Sequence, residues 1–173
     1  MLTLPRRLLV LSALMFWQGG FTFYSAVVIQ VGAEVFHSHL DQGFVTQRVS
    51  NYLNLAGAAA LPLLAWDVLA SRDVRWRRRL RWAVWAVLAG TLALLAWMHV
   101  RLDALLDAEQ FRILDRETFR AEHQRYLIVS TVQWAAGLVA LALALRAWQV
   151  EDRLGRVKVE QDEPARESVA SET

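Results

Sequence analysis

Hydrophobic residues along the chain are concentrated in four long segments that are separated by polar and charged stretches. The segments cover residues 8–36, 52–69, 82–100 and 126–148. Each can cross the roughly 30 Å hydrocarbon core of a bilayer as an α-helix that rises about 1.5 Å per residue. In lipid the backbone must satisfy its own hydrogen bonds, which favours helices. The pattern therefore predicts an all-α integral membrane four-helix bundle, with residues 1–150 as the transmembrane domain.

The second segment is the weakest of the four, because Asn54, Pro62 and Asp67 interrupt its apolar residues. Proline lacks the N–H that would bond the carbonyl four residues earlier, so Pro62 predicts a kink. The small residues at 56–60 would let a neighbouring helix approach closely. We therefore expect this segment to be kinked and closely packed against another helix.

The placement of arginine predicts the orientation, because cytoplasmic loops of membrane proteins are enriched in Lys and Arg. Arg6 and Arg7 precede the first segment, and six arginines lie in the stretch 71–82 between the second and third. Both regions are expected to be cytoplasmic, which gives an N-in, C-in, multi-pass protein of the bacterial inner (plasma) membrane. Residues 151–173 are polar, of mixed charge and include Pro164, which predicts a disordered cytoplasmic tail.

The loop between the third and fourth segments, which this topology places outside, mixes apolar with acidic residues. The apolar ones are Leu102, Leu105, Leu106 and Ile113, and the acidic ones include Asp103, Asp107 and Glu109. The mixture predicts a short amphipathic helix on the membrane surface or over the bundle. Asp115 is a candidate N-cap for the helix that leads into the fourth segment.

Composition and motifs narrow the range of functions. The chain is 55% hydrophobic and contains no cysteine, which excludes disulfides, thiolate metal sites and iron–sulfur clusters. A Walker loop, a G-x-S-x-G elbow and an H-E-x-x-H motif are all missing from the sequence, so no catalytic residue is assigned and an enzyme is the least favoured class. The basic stretch 71–82 is best explained as a topology-setting loop, with binding of anionic lipid head groups as the alternative. It is too short to favour nucleic acid.

Two polar stripes run along the first and fourth segments toward the outer end of the bundle. In the first segment, Gln30, Glu34 and His37 share one helical face. In the fourth, polar and small residues recur at alternating intervals of 3 and 4, a seam typical of a face packed against other helices. Its members are His123, Tyr126, Ser130, Gln133 and Gly137. His39 and His99 fall at the same end, so all four histidines are expected near the outer membrane surface.

These stripes have three explanations, which the sequence leaves open. In the first, the polar side chains only join helices, at about 0.6 kcal/mol for each hydrogen bond. In the second, histidines bind a divalent metal or a haem iron beside a small-ligand site. The metal ligands would be His37, His39, His99 and His123, and the ligand-binding residues would be Gln30, Glu34, Tyr126 and Gln133. In the third, Glu34 and the histidines form a proton relay.

Several short motifs point to a family resemblance. They are FYSAVV in the first segment, QGFVT in the loop after it, NLAG at the start of the second segment and HQRYLIVSTVQW around the start of the fourth. Over roughly residues 16–148 the chain resembles small bacterial four-helix membrane proteins of the transmembrane protein 205-like family. The resemblance implies a four-helix bundle of uncharacterised role, and it brings no catalytic residues.

Two hypotheses about function follow. The first is a membrane protein whose polar outer site binds a metal, haem or small ligand, with transport as one use of that site. The alternative is a non-catalytic accessory or structural subunit of a larger membrane complex, in which the stripes are packing seams. The lipid bilayer is the expected partner in both. Four short spans leave little room for a private transport path, so transport would require a homo-oligomer.

Overall fold

The structure is a computed structural model that describes the backbone of residues 3–36, 39–107 and 112–170, and the side chains of residues 3–36, 42–106 and 113–156. The described backbone is almost entirely helical. In chain order the elements are α1 (Thr3–Phe23), a π-helical turn (Tyr24–Val28), α2 (Ile29–Val35), α3 (His39–Ala70), α4 (Arg75–Asp103), β1 (Leu106–Asp107), β2 (Arg112–Ile113) and α5 (Arg116–Ala170). The two short strands pair in antiparallel register.

Within the described residues, four helical stretches are long and apolar enough to cross a membrane. They are Thr3–Val35, Gln42–Ala70, Arg75–Asp103 and Arg116–Arg156. The first combines α1, the π-helical turn and α2. The prediction of four helices long and apolar enough to span a membrane is therefore confirmed, although the second begins ten residues before the predicted position 52. That extension is polar, and contacts with the first span hold it: Gln42 Nε2 donates to the carbonyl of Ile29 (2.7 Å), and Tyr24 donates to Thr46 Oγ1 (2.7 Å).

The spans pack in a ring in which α1 contacts α3, α3 contacts α4, α4 contacts α5, and α5 contacts α1. Every span contributes apolar side chains to the core between them. These are Val10, Leu14 and Trp17 from α1, Ala60, Leu61 and Leu64 from α3, Leu88 and Leu92 from α4, and Ala144 and Trp148 from α5. Their spacings of three and four residues put each set on one helical face. Because lipid is as apolar as these side chains, close packing stabilises the bundle more than removal from water does.

Two glycines allow close contacts between helices. A Cβ at Gly57 of α3 would lie 2.7 Å from the ring atom Cε2 of Trp17, which is too close for two carbon atoms. A Cβ at Gly137 of α5 would overlap with the Gln18 amide. Only a residue without a side chain lets these buried groups of α1 sit against the neighbouring backbones. The predicted close approach at residues 56–60 is therefore present, with Gly57 as its centre.

Pro62 lies inside α3, and the helix continues through it to Ala70. Proline disturbs the hydrogen-bond ladder of a membrane helix, and side chains of neighbouring helices commonly re-satisfy the backbone groups nearby. Here the indole Nε1 of Trp85 on α4 donates to the carbonyl of Leu61 (2.9 Å). The α3–α4 interface thus supplies a polar contact beside the proline.

The connection between α4 and α5 differs from the amphipathic helix that the sequence predicts. Leu102 and Asp103 belong to the end of α4, and β1 and β2 form a two-residue ladder with Leu106 opposite Ile113. The N–H of Leu114 also donates to the carbonyl of Leu105 (3.0 Å). Cross-strand backbone bonds replace helical ones at these positions, while residues 108–111, which include Glu109, lie outside the described part of the chain.

Asp115 caps the N-terminus of α5, as predicted. Its Oδ1 accepts from the N–H groups of Glu117 and Thr118 (both 3.1 Å), and Thr118 Oγ1 donates to Oδ2 (2.6 Å). These bonds favour the ionised carboxylate, so the pKa of Asp115 is lowered from its ordinary value, first by the Thr118 hydroxyl.

We expect Asp115→Ala to expose the first turn of α5, because the N–H groups of residues 117 and 118 lose their acceptor. A group with a lowered pKa stabilises the fold above its unfolded-state pKa, and that contribution is lost as pH falls through the folded-state pKa. The cap is thus present at neutral pH and is lost only in acid, below the usual range of a carboxyl group. Amide hydrogen exchange, corrected for intrinsic rates, checks both statements. Unchanged protection of residues 117 and 118 in the variant would contradict them.

The C-terminal segment from residue 151 is predicted from composition to be disordered, and the backbone of α5 is helical through Ala170. Just beyond Trp148, Glu151 and Asp152 pair with Arg6 and Arg7 of α1, which holds this part of α5 against the bundle. The residues that follow include three Glu and three Arg, which form helices readily.

Candidate functional site

A buried carboxylate joins all four spans at one end of the bundle. Asp67, near the end of α3, is fully buried, and its Oδ1 lies 2.9 Å from Arg6 Nε of α1. Its Oδ2 accepts from Arg81 Nη2 of α4 at 2.5 Å. The indole Nε1 of Trp148 on α5 donates to Oδ1 (3.0 Å) and Oδ2 (3.2 Å). These four residues form the Asp67 cluster, and the end of the bundle formed by residues 3–7, 66–81 and 148–156 is called the basic end.

The local sequence explains why these side chains meet. Asp67 and Arg81 lie on consecutive helices on either side of a short connection, 71–74, so the turn brings them together. Arg6 lies in the first turns of α1, and Trp148 lies near the predicted end of the fourth span. The charged groups therefore lie within the terminal turns of their helices. Charged residues inside a membrane span usually pair with one another.

A second layer of ion pairs surrounds the cluster. Glu151 accepts from Arg6 Nη2 (2.6 Å) and Arg7 Nη2 (3.0 Å), and Asp152 lies 2.8 Å from Arg7 Nη2. Buried Arg6 and Arg81 are thus balanced by Asp67 and Glu151. The matched charges remove most of the penalty of burying each one alone.

The α3–α4 connection completes the contacts of Arg81. Ser71 Oγ accepts from Arg81 Nη1 (2.6 Å), and the buried Asp73 carboxylate lies 3.6 Å from the same nitrogen. Asp73 also accepts from Arg77 Nε (2.6 Å) and from the N–H of Val74 (2.7 Å). The connection is therefore held by side-chain bonds at the start of α4. Such an arrangement fixes the two helices in position.

An open cleft of about 910 Å³ lies next to the Asp67 cluster. Its walls combine guanidinium groups, carboxylates and one indole. The lining includes Arg6, Arg7, Arg72, Arg156, Glu151, Asp152 and Trp66. The cleft is at the opposite end of the bundle from His99 and His123.

At the distal end of the bundle, the polar residues predicted from the first segment face outward. Gln30 and Glu34 are both exposed, one helical turn apart. His37 lies outside the described residues, and the side chain of His39 does as well, although its backbone begins α3. Of the three residues predicted to share a face, Gln30 and Glu34 therefore lie on an exposed surface. The third, His37, lies outside the described residues.

The other two histidines contact neighbours on their own helices. His99 Nε2 lies 3.6 Å from Asp103 Oδ2, one turn along α4. His123 is half-buried and stacks on Phe119, with ring centroids 5.9 Å apart. Among the described side chains, no three His, Asp or Glu residues are placed to share a metal ion. A metal or haem site that includes His37 and His39 stays a prediction.

The stripe predicted in the fourth span is a packed face. Ser130, Gln133 and Gly137 are buried between the helices, and Tyr126 accepts from Asn54 Nδ2 of α3 at 3.4 Å. The neighbour of this face on α1 is Gln18, which packs against Gly137.

The two buried amides differ from the rest of the interface. Gln18 Oε1 and Gln133 Nε2 are buried without a hydrogen-bond partner among the described atoms. A buried polar atom without a partner is costly and is often satisfied by a trapped water. A bridging water would donate to Gln18 Oε1 on α1 and accept from Gln133 Nε2 on α5.

The Asp67 cluster is the feature that the sequence interpretation missed. Asp67 was noted only as an interruption of a weak span, and Arg6 and Arg81 only as topology signals. An acidic residue inside an apolar span, with arginines at the starts of neighbouring spans, is a signal for a buried ion pair. Glu151 and Trp148 had no such signal, because their distance from Arg6 depends on tertiary packing.

Fold and site together define a class: a bundle of four helices able to span a membrane, tied at one end by buried ion pairs. No family model, curated protein or solved structure matches the chain. The resemblance to transmembrane protein 205-like proteins therefore stays a prediction that rests on the short motifs.

Proposed function

We propose that this protein is a non-catalytic accessory or structural subunit of a larger complex in the bacterial inner membrane. The observation that carries the proposal is the distribution of polar groups. Several of those between the helices contact one another, as in the Asp67 cluster and the Asn54–Tyr126 pair. Gln30 and Glu34, in contrast, are exposed on the outside of the first span. Polar residues on the lipid-facing side of a span usually meet a partner.

The N-in, C-in orientation is part of the proposal. Arg6, Arg7 and the six arginines of the stretch 71–82 lie at the basic end. An excess of arginine next to the ends of spans favours the cytoplasmic side. The surface that carries Gln30 and Glu34 then lies in the outer half of the membrane, and a partner is expected to contact the protein there.

A site-specific photo-crosslinker tests the subunit proposal in native membranes. At position 30 we expect an adduct of one defined mass, either with a second copy of the chain or with another membrane protein. The matched control is Ile128, which is 66% exposed on α5 and belongs to an apolar surface. We expect no discrete adduct there. Lipid-only labelling at both positions would contradict the proposal.

The competing hypothesis of an outer metal, haem or ligand site is tested on the same protein by an absorption spectrum and elemental analysis. A Soret band, or near-stoichiometric zinc, copper or iron, that is lost in the His37→Ala, His123→Ala double variant would support that hypothesis. Together with lipid-only labelling at position 30, it would replace the subunit proposal. The crosslink and the bound ion are separate readouts, so each hypothesis has its own test.

A further inference from the structure

The cleft at the basic end is positively charged. Four guanidinium groups line it, from Arg6, Arg7, Arg72 and Arg156, and they face two lining carboxylates. Buried Asp67, behind the wall, is already shared between Arg6 and Arg81. The four guanidinium groups outnumber the two lining carboxylates, so the lining carries a net positive charge and an anion is the natural occupant.

The excess charge comes from two side chains. Arg7 is paired with Glu151 and Asp152, and Arg6 with Asp67 and Glu151. Arg72 and Arg156 are exposed, and among the described side chains neither forms an ion pair with a carboxylate, although Arg156 is close enough for its charge to act on Asp152. They come from the α3–α4 connection and from the end of α5, so they approach the cleft from separate elements. Guanidinium groups bind phosphate through paired N–H donors.

Two further side chains line the same cleft. Thr3 contributes a hydroxyl at the start of α1, and Trp66 forms an apolar part of the wall. Tryptophan is enriched at the depth of lipid head groups, where one part of the ring contacts acyl chains and the other contacts water.

The location of the cleft selects among phosphate-bearing ligands. It lies beside the last turns of the spans, where lipid phosphates are expected. It is also open rather than enclosed, so a head group can enter it. We propose that this cleft binds the phosphate of an anionic phospholipid head group, held between Arg72 and Arg156. The proposal does not depend on the accessory-subunit assignment.

Native mass spectrometry of the full chain, released from nanodiscs of phosphatidylcholine with phosphatidylglycerol, measures lipid retention. We expect one retained phosphatidylglycerol, and at least about a tenfold loss of retention in Arg72→Gln, Arg156→Gln. The matched control is Arg75→Gln, Arg79→Gln, which removes the same charge from exposed positions that do not line the cleft. Retention in the control should change less than about twofold.

Each other outcome contradicts the proposal. Equal losses in the two variants would mean diffuse attraction to a basic surface, and unchanged retention in both would mean that the cleft is not the site. Inorganic phosphate and soluble glycerol phosphate form a further arm: competition by either at millimolar concentration would show a free-phosphate site instead. Thermal unfolding checks that both variants are folded, and the single variants Arg72→Gln and Arg156→Gln replace the double variant if it unfolds.

Discussion

Replacing Asp67 with Ala is expected to lower the free energy of unfolding by about 3–5 kcal/mol, the usual effect of removing one partner of a buried ion pair. Asp67 is completely buried and contacts Arg6, Arg81 and Trp148. After the change, Arg81 keeps only Ser71 and the more distant Asp73, so a buried cation loses its main partner. Reversible unfolding in mixed micelles, followed by helical circular dichroism, measures the difference.

The control for this prediction is Asp152→Ala. Asp152 also pairs with an arginine, but its side chain is half exposed, so we expect a loss below about 1 kcal/mol. A second variant separates a structural role from a functional one. Combining Asp67→Leu with Arg6→Met and Arg81→Met removes all three charges, and it should recover most of the stability. Equal effects of Asp67→Ala and Asp152→Ala would show that the buried position of Asp67 adds nothing.

Gly57→Ala is expected to destabilise the bundle by about 1–3 kcal/mol, the usual cost of overpacking a core. The added methyl group would lie 2.7 Å from the ring of Trp17, which is only 3% exposed and cannot move without displacing core neighbours. The same change at Gly90, where a Cβ meets nothing within 4 Å, should stabilise α4 by up to about 1 kcal/mol.

Gly57→Ala and Gly90→Ala are expected to change the stability of the bundle in opposite directions, which makes the comparison informative. Both substitutions add one methyl group to a helix in a membrane span, so they share every effect except the contact across the α1–α3 interface. Thermal unfolding of the two variants side by side in one detergent gives the comparison. A stabilising effect at Gly57 would mean that Trp17 does not pack against this backbone.

Much of the fold could be predicted from sequence, because hydropathy is a local property. A run of apolar residues must form hydrogen bonds within itself in lipid, so it predicts a helix without knowledge of the rest of the chain. The seam at Ser130, Gln133 and Gly137 was predicted for a similar reason, since residues three and four apart share a face. The early start of α3 was not predicted, because it depends on Gln42 and Thr46 meeting the first span.

The candidate site shows the opposite case. Arg6 and Glu151 are 145 positions apart, and nothing in the local pattern says that they touch. In contrast, the polar pattern of the first span predicts a site at Gln30 and Glu34, and both residues are exposed. A charged residue in an apolar span indicates the location of a site only when its partner is known. Tertiary packing determines which residue that partner is.

The contact between Asp67 and Arg81 has a consequence for how the protein is made. The two residues lie 14 positions apart on either side of the α3–α4 connection, so the hairpin carries its own counter-charge. The hairpin can therefore enter the bilayer without exposing a lone carboxylate to lipid, whether or not α1 and α5 already pack against it. Arg6 and Trp148 complete the site when α1 and α5 dock on the hairpin.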